Sequence, residues 1–585
     1  MKKFLLPLLL LTGLWAKSQT YNNEWINYSR TYHKFKIAVT GLYRINQPLL
    51  ASIGLGSTPA EQFQLWKNGQ QIPVYTSVQT GPMSASDYIE FWGEMNDGKP
   101  DLDLYKLPDY QLNEKWSLES DTAIFFLTVN PAANHLRLLQ ANNNLPSAIP
   151  VEPYFMHTAG KYYRDKFNLG YAAIVGDAIY SSVYDQGEGF TSSDIGTGAT
   201  LSFSFTNLNV YTTPGAPAPV LKVNAAGSAL NPRQFEILVN SSQVGVETMD
   251  YFEYKKVTAA VGVSLISGGS ANVGIKNNCV TGGDRMVVAK LELTYPRQFN
   301  FGGTDNFSFE LPANASGNYL EIAGFTYGSA NPVLYDLTNG KRYVGDITNP
   351  ALVRVLLEPS SVPRKLLLVS QATSFPIAVT SLQQRNFTNY GVAGSQGDYL
   401  IITHPALTNG PSGTNPVEDY RMYRSSAVGG GNTAKIYMID QIIDQFGFGI
   451  KQSPLSVRNF IRWARNTYTS PVKNVFLIGK GLHYIQNRNN QSHPDIDKLS
   501  FIPTFGHPAS DNLLAADPGL AEIPKVPIGR LSVINAAEIS PYLAKVIQYE
   551  QAQAFSSPLI QDKAWMKNVM HTVGAGDGAH HSARR

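Results

Sequence analysis

The chain has 585 residues, a formal charge of +3, 16% charged residues and a single cysteine. So small a charge on so long a chain, with no long Lys/Arg run interleaved with aromatics, excludes nucleic acid as an expected partner. One cysteine also excludes a disulfide framework, so packed cores must hold the domains, and the length is ample for several of them.

At the start, Lys2 and Lys3 precede an apolar run from Phe4 to Leu14, and the small residues Ala16 and Ser18 follow before Gln19. This is the pattern of a secretory signal peptide, too short to span a bilayer, so residues 1–18 are read as a leader cleaved after Ser18. No later stretch reaches ~18 consecutive apolar residues, and no transmembrane segment is expected in the mature chain. The expected location is extracellular or on the outer-membrane surface. Abundant Tyr (31), Phe (27), Gly (49) and Pro (35) suit exported β-rich domains joined by tight turns.

Residues 19–154 read as a small β domain. "HKFKIAVTGLYRI" alternates through Phe35, Ile37 and Val39, turns at Thr40-Gly41 and resumes. "FQLWKNGQQIPVY" is a hairpin signal, because Asn68-Gly69 accepts the positive φ of a type I′ turn. In "NDGKPDLDLY", Asp97, Asp101 and Asp103 are candidate calcium ligands at loop spacing. The EF-hand frame and its terminal Glu are missing, and a turn with solvent-facing acids is the leading reading.

Residues 155–296 carry strands about ten residues apart, among them "ATLSFSFTNLNVY", "RQFEILVN" and "MVVAKLELTY", which predict a β-sandwich. Cys279 lies here among turn residues with no local histidine, and is read as structural. Residues 297–396 continue as a further β segment and linker.

From residue 397 the pattern changes. Asp398 is followed by Tyr399 to Ile402, a continuous apolar run of the kind buried on both faces of a parallel sheet. A helix from about Val417 to Ser426, a strand in "AKIYMID", a helix in "LSVRNFIRWARNTY" with Val457, Phe460, Ile461 and Ala464 on one stripe, and a strand in "VKNVFLIGKG" follow. "VPIGRLSV" is the next strand, "AAEISPYLAKVIQYEQAQ" the next helix, and "WMKNVMHTVGAG" a fifth strand. This is the grammar of an open α/β sheet, whose sites lie beyond the carboxyl ends of the strands.

The glycine loops do not make nucleotide sites. "LIGKGLHYI" lacks the spacing that lets backbone N–H groups wrap a phosphate, and "GAGDG" is followed by too few residues for a pyrophosphate-binding helix. His580-His581 are neighbours in sequence and a poor metal pair, and no serine sits in a G-x-S-x-G elbow.

In order along the chain, "QGDYLIITHPAL", "VFLIGKG", "IPTFGHPASDNLLA", "VPIGRLSVINAAEISPYLAKVIQYEQ" and "KAWMKNVMHTVGAG" resemble the gingipain family of secreted cysteine peptidases. They are similar to the first part of its caspase-like catalytic domain. The β-rich region, with "HKFKIAVTGLYRI", "FQLWKNGQQIPVYTS" and "DYIEFWGEMNDGKPDLDLY", resembles the accessory region of long gingipain-like proteins tied to type IX secretion. The expected fold is thus multidomain: β-rich, sandwich-like accessory domains, then an α/β caspase-like domain over 397–585, incomplete at its C-terminus. The resemblance implies protein or peptide substrates, the type IX secretion machinery as partner, and no catalytic cofactor, structural calcium being the one ion considered. It also implies a His/Cys dyad in which a thiolate attacks the scissile carbonyl. Neither dyad member can be matched here, and both are expected beyond Arg585, leaving this chain alone inactive. The resemblance further makes Asp577 a candidate to orient the histidine, and Asp511 an architectural residue or a substrate contact. The alternatives are a non-catalytic exported adhesion or scaffold protein with a degenerate caspase-like domain, and a sugar-binding accessory protein.

Overall fold

The computed structural model describes residues 20–569 apart from 133–134, 147, 176, 373–374, 520–521 and 555–556. The leader, the "GAGDG" loop, His580-His581 and Asp577 lie outside the described residues.

Strands dominate the first two thirds of the chain. Thr31–Ile37 sits inside a five-stranded sheet between Gln383–Asn386 and Ala123–Val129, and Gly41–Asn46 enters a second sheet beside Tyr88–Gly93. Phe35, Ile37, Ile45, Phe63, Phe91 and Phe125 fill the space between the two sheets. The predicted hairpin forms between Phe63–Lys67 and Gln70–Ile72, with Asn68 at φ 47° and Gly69 at φ 73°. Both angles are the positive values that a type I′ turn demands.

A β-sandwich follows. One sheet is built around Arg285–Arg297, which pairs with Val220–Gly227 on one side and Phe155–Tyr162 on the other. The opposing sheet holds Thr200–Phe205, Ala271–Asn277, Arg233–Val239 and Ser242–Met249. Alternation puts Leu221, Val223, Ile237, Ile275, Leu291 and Leu293 between the layers, each essentially unexposed. At the sandwich edge the Arg233 guanidinium is fully buried against Asp284, with Nε to Oδ2 at 2.9 Å and Nη2 to Oδ1 at 2.9 Å. Two further sheets, one containing Asn306–Leu311 and Arg364–Val369 and one containing Asn318–Phe325 and Leu352–Leu357, close over Phe301, Phe309, Leu320 and Val355.

The last third is an α/β layer. Four parallel strands run in the order Ala434–Met438, Tyr399–Thr403, Asn474–Ile478, Ile528–Leu531. Helices Pro416–Ser425, Ile439–Phe446, Leu455–Thr467 and Ile539–Ala554 accompany them. The stripe read from sequence is the buried face of the 455–467 helix: Val457, Phe460, Ile461 and Ala464 are all at 0% exposure. The strand expected from Trp565 onward differs in its described part, because Ile560–Lys567 is a 3-10 stretch with exposed side chains. Its apolar residues, Ile560 and the consecutive Ala564, Trp565 and Met566, do not alternate as a half-buried strand requires, and none of them is buried. Among the described residues no helix is long and apolar enough to cross a membrane.

Candidate functional site

In an open α/β sheet the crevice forms where successive strands leave the first strand in opposite directions. Here 434–438 lies on one side of 399–403 and 474–478 on the other, so the crevice sits beyond Thr403 and Ile478. The Thr403 hydroxyl donates to the Ile478 carbonyl at 3.1 Å and ties the two ends together.

His404 follows at once. Its ring stacks on Phe501 at 4.5 Å, and Nδ1 accepts the Ala406 N–H at 3.1 Å. His483 does the same one strand over: Nδ1 accepts the Gln486 N–H, capping the short helix Tyr484–Asn489, and the ring faces His507 at 4.5 Å. Burial lowers His404, and burial together with His507 pushes His483 down to about 4. Both imidazoles are therefore neutral at physiological pH, with their Nδ1 lone pairs already used as backbone caps.

The glycines of "LIGKG" have a structural cause. The Lys480 carbonyl accepts N–H groups from Phe501 and Ile502 at 2.9 and 3.1 Å, and the Lys480 N–H donates to Val533. Gly481 passes so close beneath this loop that a Cβ there would lie 2.4 Å from the Ile502 carbonyl oxygen. The loop is a backbone crossing, consistent with its failure as a phosphate cradle.

Arg530, the arginine of "PIGR", organises the same edge. Nε and Nη2 each donate to Asp511 at 2.7 Å; Nη1 donates to the carbonyls of Gly479 and Ile502, and Nη2 also to Pro503. Those five bonds use all five donors of a guanidinium. Asp511 is thereby held in a fork rather than pointed into open space.

The remaining candidates are dispersed. Asp97 pairs with Lys99 at 3.0 Å, Asp101 turns inward to the Leu118 N–H at 2.7 Å and the Ser117 hydroxyl at 3.2 Å, and Asp103 stays exposed. Among the described residues no group of three or more His, Cys, Asp or Glu is arranged to hold a metal ion. Cys279 is buried in the sandwich, where its thiol donates to the Pro232 carbonyl at 3.4 Å. Sequence reading missed a cavity of about 930 Å³ beside the crevice, lined by Lys36, Val39, Ile377, His404, Asp440 and Phe501. Its walls come from segments hundreds of residues apart, so no local pattern signals it.

The fold is thus a series of strand-rich sheets followed by a caspase-like α/β domain, and residues 393–585 match the family model described as Peptidase family C25. The gingipain resemblance read from the sequence holds over that region. The solved structure described as dimeric latent PorU from Porphyromonas gingivalis matches with a TM-score of 0.57 at 13% identity, over 95% of this chain and 52% of that one. The chain spans about half the length of that protein, and at this identity the likeness is one of fold. The CBM36-1 domain of a multidomain xylanase from the hindgut metagenome of Trinervitermes trinervoides matches 23% of this chain and 96% of its own, at 8% identity and a TM-score of 0.15. A search of curated proteins finds no match.

Proposed function

We propose that the protein is an exported cysteine-type endopeptidase of the gingipain kind, which acts on protein substrates at or outside the cell surface and depends on type IX secretion. The observation that carries this is the match of residues 393–585 to Peptidase family C25, on a parallel sheet with its switch point between strands 399–403 and 474–478. The nucleophile is a thiolate attacking the scissile carbonyl, with backbone N–H groups taking the oxyanion. That thiolate is not Cys279, since the α/β region from 397 to 585 contains no cysteine and Cys279 is buried in the sandwich.

Within this reading Asp511 is architectural, supported by the Arg530 fork that occupies both of its oxygens. Asp577, outside the described residues, is the candidate to orient the catalytic histidine, with a turn former in the glycine loop as the alternative. The Lys99 and Ser117 contacts support Asp97 and Asp101 as turn and core groups rather than calcium ligands. The test is peptide hydrolysis by the 585-residue chain with and without a thiol-alkylating reagent. No thiol-dependent hydrolysis is expected from it. Activity abolished by Cys279→Ala would overturn the assignment of the nucleophile.

A further inference from the structure

Between the β region and the α/β domain lies a layer of buried acids that peptide hydrolysis does not use. Asp101, Glu119 and Glu188 are 1%, 3% and 4% exposed. Tyr184 donates its hydroxyl to Glu119 at 3.0 Å, Tyr484 to Glu188 at 2.6 Å, and the Asp185 N–H to Glu188 at 3.0 Å. The Tyr105 hydroxyl donates to the Glu188 carbonyl at 2.9 Å, adding a third phenol to the layer.

Positive charge is scarce there. Arg488 is the cation that faces Asp101 and Glu119, and its Nη2 is engaged by Asp121 at 2.7 Å and the Ser117 carbonyl at 3.1 Å. Asp121 is shared with Arg164 at 2.7 Å, while Nε and Nη1 of Arg488 have no hydrogen-bond partner. Asp97 and Asp185 add negative charge beside Asp101 and Glu188. Arg458 lies nearby, with Nη2 on the Asp103 carbonyl. One guanidinium cannot neutralise three buried carboxylates, and an unpaired one costs several kcal/mol, so the carboxyls keep their protons. Burial accordingly pushes Asp101 up to about 7 and Glu188 to about 8, and burial and Asp101 hold Glu119 well above the carboxylate range.

The layer sits where residues 181–191 meet the loop that leaves the carboxyl end of Asn474–Ile478. Tyr184 stacks on Tyr484 at 5.3 Å and meets Phe505 edge-on at 5.5 Å. Gly506 passes Ser182 so closely that a Cβ there would lie 1.6 Å from the Ser182 carbonyl oxygen.

We propose that Glu188, buried and accepting the Tyr484 hydroxyl across the two segments, is an acid-held latch that pins residues 181–191 to the carboxyl-end loop 483–507 and lets go as the solution turns alkaline. Opening hydrates Glu188, which then ionises freely. The protonated form belongs to the closed state, so the closing free energy from Glu188 is fully present below about 4.5 and is lost as pH rises through about 8. The latch does not depend on the peptidase reading.

The test is hydrogen exchange on the full chain at pH 6 and pH 9, with rates expressed as protection factors. Peptides covering 181–191 and 483–490 are compared with the sandwich strands 220–227 and 285–297. Glu188 alone predicts about a hundredfold loss of relative protection in the two latch peptides over that interval, and Glu188→Gln should retain most of it. Equal protection of the latch peptides at both pH values would overturn the proposal, as would a parallel loss in the sandwich strands or an equal loss in Glu188→Gln. Should that variant fail to fold, the wild-type comparison decides alone.

Discussion

Replacing Arg530 by Met keeps most of the stem volume and removes the fork. Five hydrogen bonds go with it, two of them to the Asp511 carboxylate, and Asp511 is left beside three carbonyls with no cation. Breaking a buried pair by deleting one partner costs ~3–5 kcal/mol, and water reaching the partly exposed ends argues for the lower figure, about 3 kcal/mol. Side-chain exposure is 11% for Arg530 and 22% for Asp511, which is the basis for that discount. A chain with several cores has no single unfolding free energy, so the readout should be local. The Lys480 and Phe501 N–H groups, which close the loop against Val533 and Lys480, are suitable reporters of hydrogen exchange. A local loss of about 3 kcal/mol accelerates their exchange by roughly a hundredfold or slightly more. Asp511→Asn should cost less, about 1–2 kcal/mol, and the double variant should show a coupling of at least about 1 kcal/mol. Acceleration below about fivefold, or strict additivity with Asp511→Asn, would refute the claim that this fork holds the edge of the crevice.

Two further substitutions probe other parts of the account. Gly506→Ala should detach residues 181–184 from the carboxyl-end loop, because φ is +67° and the new Cβ meets the Ser182 carbonyl; limited proteolysis should cut near residues 181–191 many times faster, and an unchanged digest would contradict the contact. Arg233→Met strands the Asp284 carboxylate in the sandwich and should destabilise that unit by ~3–5 kcal/mol, measured as lost exchange protection in the 233–239 and 271–277 strands with the α/β strands unaffected.

How much was legible in the sequence depends on the range of the interaction. The strands 399–403 and 474–478 and the 455–467 helix were visible because their burial is written in local periodicity: continuous apolar runs for a two-faced sheet, a stripe for a helix against it. The Asn68-Gly69 turn was visible because backbone sterics select those residues. The Ile439–Phe446 helix was not, since it starts one residue after a strand, with Met438 in the cap position and no capping side chain to mark the change. In the site, "PIGR" stood out as a string, but the role of its arginine depends on carbonyls 27 to 51 residues away. Glu188 and Tyr484 are separated by 296 residues, and nothing in "DQGEGF" distinguishes a buried acid from a turn former.

The most direct measurement is thiol labelling of the product of this locus purified from its native cells, with the labelled peptide located by mass spectrometry and protein hydrolysis followed in parallel. The account predicts inhibition by the alkylating reagent while Cys279, buried in the sandwich, stays unlabelled in the folded protein. Hydrolysis untouched by alkylation, or inhibition that tracks labelling of Cys279, would contradict it.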